Sequence, residues 1–294
     1  MKAIATVNFK GGVGKTTITW LLAKYASEKM NKKILVMDTD AQMSLTMAIS
    51  LQETGQMLRQ FANWYENSYK NNQSPKTIFR ALQDYDDFAA GRKKYFDFPI
   101  DYQFIYQFSN NLHFIPSIED LYWLELDVFD RVALKDFIRA LLGKIEHSKN
   151  LPTYEYVFFD CPPNFTALSY SVLSCSSLLL IPVNPDVYAP RGVELMVDGL
   201  RMRIEPWPNP KIAVFMNKAR TNNTGALTSE TKGYWELTKD RCIDQQRKGA
   251  NIIALESPII DRVSIKRAVP GVYFPVEFES YFSKLWYEIE NFLV

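Results

Sequence analysis

A glycine-rich segment near the N-terminus is the feature that most constrains what this chain can fold into. Residues 10–17 read Lys-Gly-Gly-Val-Gly-Lys-Thr-Thr, between a short apolar run over residues 2–8 and a helical pattern over residues 16–30. Glycines let successive backbone N–H groups close around an anion, and the N-terminus of the following helix adds partial positive charge. This order of strand, loop and helix predicts a phosphate-binding unit.

The side chains of this loop indicate which phosphate ligand it binds. Lys15 is placed to reach β- and γ-phosphates, and the Thr16 hydroxyl to ligate Mg²⁺. The predicted nucleotide-binding residues of the loop are Gly11, Gly12, Val13, Gly14, Lys15, Thr16 and Thr17. The general pattern G-x-x-x-x-G-K-[ST] asks for glycine at position 9, where this chain has Phe9 followed by an additional lysine, Lys10. A glycine-rich turn without a ligand is the alternative.

The rest of the chain alternates apolar, β-leaning runs with helical patterns. Strands are predicted at residues 2–8, 34–38, 111–116, 156–160, 177–182, 212–217 and 251–255. Continuous apolar strands separated by helices are typical of a parallel sheet covered on both faces. We therefore expect an α/β, doubly wound, mostly parallel sheet of about seven strands, in one domain over residues 1–294. Residues 51–110 lack this alternation and are interpreted as an insertion of helices and loops.

Composition excludes several protein classes. The chain is 47% hydrophobic and 23% charged, which is ordinary for a globular protein and too apolar for a disordered one. No apolar run approaches the roughly 18 residues that cross a bilayer. Three cysteines are too few for a disulfide framework and two histidines too few for a histidine-rich metal site, so we expect a cytoplasmic location.

Polar side chains follow several of the predicted strands. Asp38 and Asp40 end the second strand, Asp160 ends the fourth and Asn217 ends the sixth, while Pro258 follows the last. Ligands of such sheets bind outside the carboxyl ends of the strands, so these residues are candidates for one site. A carboxylate or amide that only caps the next turn is the alternative at each position.

Three motifs together resemble the ParA/MinD family of P-loop ATPases with a deviant Walker A loop. They are Lys10-Gly-Gly-Val-Gly-Lys-Thr-Thr, Asp38-Thr-Asp-Ala-Gln and Asp160-Cys-Pro-Pro, with Ala41 where the family usually has proline. The resemblance covers residues 1–50, 111–118, 154–220 and 251–294, and leaves residues 51–110 outside. It implies a P-loop NTPase fold with ATP and Mg²⁺ as cofactors.

The resemblance also implies roles for individual residues. Lys10 would cross a dimer interface to the partner's nucleotide, and Asp40 would orient the attacking water. Asp38 would support Mg²⁺ or the loop, and Asp160 would hold a Mg²⁺-bound water. Asn217 would read the adenine edge, and Pro258 would flank the base. The predicted catalytic residues are thus Lys10, Lys15, Asp38 and Asp40, and the predicted metal residues are Thr16 and Asp160.

Within this family, the charge pattern favours the binding partners of ParA-like proteins. Residues 201–267 carry thirteen Lys or Arg and seven Asp or Glu, which suits non-specific DNA binding by an ATP-bound homodimer. The candidate DNA contacts are Arg220, Lys232, Lys239, Arg241, Arg247, Lys248, Arg262, Lys266 and Arg267. The resemblance then implies association with the nucleoid and a ParB-like or organelle adaptor for a plasmid, chromosome or carboxysome cargo.

Two other function classes stay open. A MinD-like, membrane-associated positioning ATPase would end in a basic amphipathic helix, but the last 27 residues have one basic residue, Lys284. We therefore expect no membrane partner and interpret the apolar C-terminal stripe as core packing. A metabolic enzyme such as a nitrogenase iron protein would need cluster-binding cysteines, and Cys161 and Cys175 lie elsewhere. No helix-turn-helix pattern precedes the first strand, so specific operator binding is not expected.

Overall fold

The computed structural model describes residues 1–50, 56–70, 76–123, 132–205, 207–262, 264–265, 268–269, 271 and 273–294. Its strands are β1 (Lys2–Thr6), β2 (Ile34–Asp38), β3 (Tyr106–Gln107), β4 (Leu112–Ile115), β5 (Tyr156–Asp160), β6 (Leu178–Val183), β7 (Lys211–Met216) and β8 (Ile252–Ala254). Its α-helices are α1 (Lys15–Glu28), α2 (Ser44–Ser50), α3 (Gln56–Tyr65), α4 (Ile78–Ala89), α5 (Phe137–Glu146), α6 (Ala167–Cys175), α7 (Ala189–Arg203), α8 (Ser229–Arg247) and α9 (Glu279–Leu293). A π-helix spans Glu66–Lys70, and short 3-10 helices span Val132–Asp136 and Val276–Phe278.

The strands form one sheet in the order β3-β4-β2-β5-β1-β6-β7-β8. Seven strands are parallel, and β3 pairs antiparallel with β4, Tyr106 lying opposite Phe114. The predicted α/β architecture and all seven predicted strands are confirmed. The eighth strand, β3, was missed because two residues are too few to show a period.

The central strands are buried along their whole length, as continuous apolar runs require when helices cover both faces. Their carboxyl ends lie at one edge of the sheet, where β1 runs into the glycine-rich loop. Helix α7 begins at Ala189, and Pro190 fits its first turn because the fixed φ of proline matches a helix and its missing N–H needs no partner there.

The described part of the predicted insertion contributes α3, the π-helix and α4 before β3. Its aromatic side chains pack onto the sheet: the Phe61 ring lies 5.0 Å from Tyr106 and 5.6 Å from Phe114, centroid to centroid. Residues of the insertion and of the sheet share one hydrophobic cluster.

The C-terminal helix α9 packs into the core, which confirms the interpretation of its apolar stripe. Phe282, Leu285, Trp286 and Ile289 are buried, and the Trp286 ring contacts Tyr156 of β5 at 5.2 Å. Over the described ranges, no helix combines the length and the apolar character that crossing a bilayer requires.

Candidate nucleotide-binding site

A cavity of about 320 Å³ opens at the carboxyl edge of the sheet. It is lined by Gly11, Gly12, Gly14, Lys15, Thr16, Thr17, Asp40, Gln42, Ser44, Pro163, Asn217, Lys218, Ile260, Asp261, Arg262 and Ile265. The structure therefore brings together the glycine-rich loop, the Asp40 turn and Asn217 from three separate stretches of sequence. The loops after β1, β2, β5, β7 and β8 all contribute, as expected for a parallel α/β sheet.

The backbone of the loop is shaped to bind an anion. Gly12 and Gly14 have φ angles of 74° and 92°, a left-handed conformation that strongly favours glycine. Gly14 is the N-cap of α1, and no side chain caps the first-turn N–H groups there. These N–H groups therefore remain available to phosphate oxygens, and the helix dipole adds to the attraction.

Lys15 is the buried cation of the site. Its Nζ donates a 3.0 Å hydrogen bond to the carbonyl oxygen of Asn8. Burial lowers the pKa of this amine, and the charges of Asp160 and Asp40 oppose that shift. The ammonium therefore lies among carboxylates in a partly desolvated pocket, where a phosphate would meet a strong local field.

Asp38 and Asp40 are two residues apart but have different surroundings. Asp38 Oδ2 accepts hydrogen bonds from the Thr46 backbone N–H (2.9 Å) and hydroxyl (2.7 Å), and burial raises the pKa of this carboxyl to about 7. This carboxylate thus supports the loop after β2. Asp40 lines the cavity, accepts a 2.9 Å hydrogen bond from the Gln42 N–H at Oδ1, and has a pKa raised by burial.

Asp160, at the end of β5, is the fully buried carboxyl group beside Lys15. Burial raises its pKa well above the ordinary value, while the Thr16 hydroxyl and the Lys15 charge oppose the rise. Neither carboxylate oxygen accepts a hydrogen bond of good geometry from the described residues. A buried carboxylate without such a partner, next to a hydroxyl and a phosphate loop, matches the oxygen donors that Mg²⁺ and its bound water prefer.

Lys10 lies outside the cavity lining. Its Nζ forms an ion pair with Asp186 Oδ2 at 2.5 Å and sits 5.5 Å from the centroid of the Tyr188 ring. The Lys10 side chain is 45% exposed. It therefore points away from the phosphate loop of its own chain.

Asn217 lines the cavity, whereas Pro258 does not. The Asn217 Nδ2 donates a 2.7 Å hydrogen bond to the Val13 carbonyl oxygen, and a Cβ added at Gly14 would lie 2.5 Å from that nitrogen. Pro258 lies outside the described lining, and the wall is formed by residues just beyond it: Ile260, Asp261, Arg262 and Ile265. The sequence indicated Arg262 only as a candidate DNA contact and did not point to Ile265, although both residues follow the end of β8, where ligand contacts are expected.

Residues 1–214 match the family described as AAA_31, AAA domain. The chain belongs to the AAA_31 family. The match includes the glycine-rich loop, Asp40 and Asp160. The predicted ParA-like P-loop ATPase assignment is confirmed.

The curated relatives agree with this family. A ParA family protein of Chlamydia trachomatis is 28% identical over 211 residues, covering 69% of this chain and 68% of that protein. The sporulation initiation inhibitor protein Soj of Bacillus subtilis is 23% identical over 239 residues, with 80% of each chain covered. The AAA_31 chain spans only 54% of the length of a Mycobacterium tuberculosis relative to which it is 28% identical.

Solved structures show the same fold. A protein of Borrelia burgdorferi B31 described as a plasmid partition protein, bound to AMPPNP, has a TM-score of 0.64 at 21% identity, covering 99% of this chain and 98% of its own. Cyanothece McdA in complex with ATP has a TM-score of 0.71 at 16% identity. The match covers 100% of this chain and 96% of the McdA chain. A third structure is cobyrinic acid a,c-diamide synthase of Mycobacterium smegmatis, with an ATP analogue and magnesium. It has a TM-score of 0.59 at 17% identity, and the match covers 98% of this chain and 96% of the synthase chain.

The basic residues of this AAA_31 chain fall into two groups. Lys239, Arg241, Arg247 and Lys248 have acidic partners, at distances from 2.9 to 3.9 Å. Arg220, Lys232 and Arg262 are exposed and form no ion pair with a described residue, and Arg262 lines the cavity. Lys266 and Arg267 lie outside the described residues. Fewer of these basic side chains are therefore without an acidic neighbour than the sequence count alone suggests.

Proposed function

We propose that this chain is a ParA-type positioning ATPase that binds ATP with Mg²⁺, dimerises in that state, binds DNA without sequence preference and moves a cargo through an adaptor protein. The observation that carries the proposal is one cavity lined by a phosphate loop, Lys15 and Asp40, with the buried Asp160 carboxylate beside them. The AMPPNP bound to the Borrelia protein and the ATP bound to the Cyanothece protein support an adenine nucleotide here.

Residues in and beside the cavity then have defined parts in ATP hydrolysis. The loop N–H groups and Lys15 bind the phosphates, and the Thr16 hydroxyl and Asp160 hold the metal and its water. Mg²⁺, when bound, neutralises charge on the phosphate oxygens. Asp40 lies on the open cavity wall, where it orients the attacking water. Asp38 supports the Asp40 loop through Thr46.

The surroundings of Lys10 support an ATP-bound homodimer. Its side chain points away from its own cavity, and the neighbouring Phe9, Val187 and Tyr188 are exposed by 40%, 61% and 70%. An apolar, exposed rim around a cation fits a second copy of the chain whose nucleotide supplies the matching negative charge. Lys10 would then exchange its ion pair with Asp186 for the partner's phosphates and neutralise charge there, as an arginine finger does.

Arg220 and Lys232 are the strongest candidates for DNA contact. Thr228, the N-cap of α8, donates its backbone N–H to the Arg220 carbonyl (3.0 Å) and accepts the Lys232 N–H (3.0 Å), so both basic residues flank one helix end. Phosphate contacts need a cation that is not already neutralised, and neither side chain forms an ion pair with another described residue.

The test is binding to random duplex DNA with ADP and with ATP, over a salt series. We expect ATP-dependent binding that weakens steeply as salt rises, because each phosphate contact releases counterions. Changing both Arg220 and Lys232 to Ala should lower the salt slope by about two, one for each lost phosphate contact. The matched control changes Arg241 and Arg247, which both pair with Asp244, and should lower it less.

The outcomes separate the candidate functions. Binding that is independent of salt, or equal with ADP and ATP, would contradict nucleoid-based positioning. If no DNA binding occurs, sedimentation with anionic liposomes in the presence of ATP tests the membrane-associated alternative. Retained ATP hydrolysis in that case would keep the ATPase part of the proposal and discard the DNA part.

A further inference from the structure

Helix α1 holds a second segment of the chain in addition to the phosphate loop. One face of the helix carries Trp20, Lys24 and Glu28 at four-residue spacing, and all three side chains bond to backbone atoms of residues 269–274. The Trp20 indole N–H donates to the Val269 carbonyl oxygen (2.8 Å), and Glu28 Oε2 accepts from the Phe274 N–H (2.9 Å).

Lys24 is the central member of this face and has no exposed surface. Its Nζ donates to the carbonyl oxygens of Gly271 and of Tyr273, the latter at 3.0 Å. Burial lowers the pKa of the amine to about 8, and Glu28 acts in the opposite direction. A buried ammonium is expensive unless its donors are satisfied, so its position requires these two carbonyl groups to stay in place.

The carbonyl groups that Lys24 binds are connected to the wall of the nucleotide cavity. Successive backbone hydrogen bonds of 3.2 Å run from Ile265 to Arg262, from Ala268 to Ile265 and from Gly271 to Ala268. Arg262 and Ile265 line the cavity, and Gly271 is the residue whose carbonyl Lys24 holds. These hydrogen bonds therefore link the Lys24 amine to the cavity wall formed by Ile260, Asp261, Arg262 and Ile265, here called the base-side wall.

We propose that Lys24 is a positioning residue that fixes the base-side wall of the nucleotide cavity relative to the phosphate loop, and thereby sets affinity for the nucleoside part of ATP. The inference rests on the proposed function, since it takes ATP as the ligand. Both ends of the arrangement belong to α1: the helix begins at Lys15 of the phosphate loop, and nine residues later it supplies Lys24. Lys24 is not among the described residues that line the cavity, so it acts only through the wall.

The experiment compares Lys24→Met with wild-type protein and uses two ligands, ATP and inorganic triphosphate, each competing with a fluorescent ATP analogue. Losing one hydrogen-bonded charged group should weaken ATP binding by about tenfold and leave triphosphate binding unchanged. The matched control is Lys29→Met at the C-cap of the same helix, which removes a surface ion pair with Glu279 and should change neither affinity.

Amide hydrogen exchange provides a second readout, made on the nucleotide-free chain. In Lys24→Met the amides of Ile265, Ala268 and Gly271 should exchange faster, while those of β1 and β5 keep their rates. Unchanged exchange at these three amides, an unchanged ATP affinity, or an equal loss of ATP and triphosphate affinity would each overturn the inference. Wild-type protein that fails to bind ATP would instead refute the proposed function, and the exchange result would still decide whether Lys24 orders the wall.

Discussion

The phosphate-binding edge and the aromatic insertion treat their buried polar groups differently. At the phosphate edge, Asp160 is fully buried with no well-formed hydrogen bond among the described residues, and burial raises its pKa. In the insertion, the buried hydroxyl groups of Tyr65 and Tyr69 donate to the carbonyl oxygens of Ser117 (3.1 Å) and Phe104 (3.0 Å).

This difference separates stability from function within one sheet. The insertion adds packed rings and satisfied hydrogen bonds, which lower the free energy of the folded state. The phosphate edge keeps charged groups desolvated and only partly paired, which raises the free energy of the ligand-free state but leaves donors and acceptors ready for a ligand. Substitutions should therefore affect binding in one region and unfolding in the other.

The largest expected effect is loss of nucleotide binding in Lys15→Ala. Removing a buried ammonium that faces the phosphates should weaken ATP binding by about 100-fold or more. The free energy of unfolding should change little by comparison. Calorimetric titration with ATP measures the loss. The control is Lys10→Ala, in the same loop but pointing outward, which should keep the ATP affinity of a single chain. If Lys15→Ala bound ATP as tightly as wild type, the assignment of the phosphate loop would be contradicted.

Phe61→Ala should lower the stability of the fold and leave ATP affinity unchanged, the opposite of Lys15→Ala. Phe61 is fully buried among four aromatic rings, so the cavity it leaves should reduce the free energy of unfolding by about 3–5 kcal/mol. Denaturant unfolding measures this, and ATP affinity of the folded fraction should be unchanged. Phe88→Ala, at a ring 38% exposed in α4, is the control and should cost at most about 1 kcal/mol. A large fall in ATP affinity of Phe61→Ala would break the separation of the two regions.

The smallest of the three main expected changes, and the most direct test of the comparison, is the change in stability of Asp160→Asn. Its raised pKa means that the folded chain binds more protons than the unfolded chain, so wild-type stability falls as pH rises from the ordinary carboxyl pKa through the raised value. Without ligand, the variant should therefore be more stable than wild type by about 1–2 kcal/mol at about pH 8, and by less at about pH 5.

Thermal unfolding at the two pH values measures this gain, and magnesium affinity in the presence of ATP should fall by about 10- to 100-fold. The control is Asp97→Asn, whose side chain is 75% exposed and which should shift stability by no more than about 0.5 kcal/mol. A variant that is less stable than wild type at the higher pH would mean that Asp160 is well paired.

Local sequence was enough to predict the phosphate side of the site. The loop glycines, Lys15 and Thr16 are adjacent in the chain. Asp40 and Asp160 lie at or just after the ends of apolar strands, and the ends of parallel strands meet at one edge of the sheet. The base-side wall of the cavity was less predictable. Ile260, Asp261 and Arg262 line the cavity because the segment after β8 bridges to Ala219, a pairing between distant residues that no local pattern encodes.

The sequence by itself determined the alternation of strands and helices, the phosphate loop and the carboxylates at the strand ends, because hydrophobic periodicity and glycine conformation are local properties. Only the tertiary structure decided which of those groups are available. It engaged Asp38 with Thr46, left Asp160 without a well-formed hydrogen bond among described residues, turned Lys10 outward to Asp186 and buried Lys24 against the segment behind the base. These outcomes depend on burial and on partners far away in the chain, because desolvation and pairing are fixed only when the sheet, the helices and the final loop pack together.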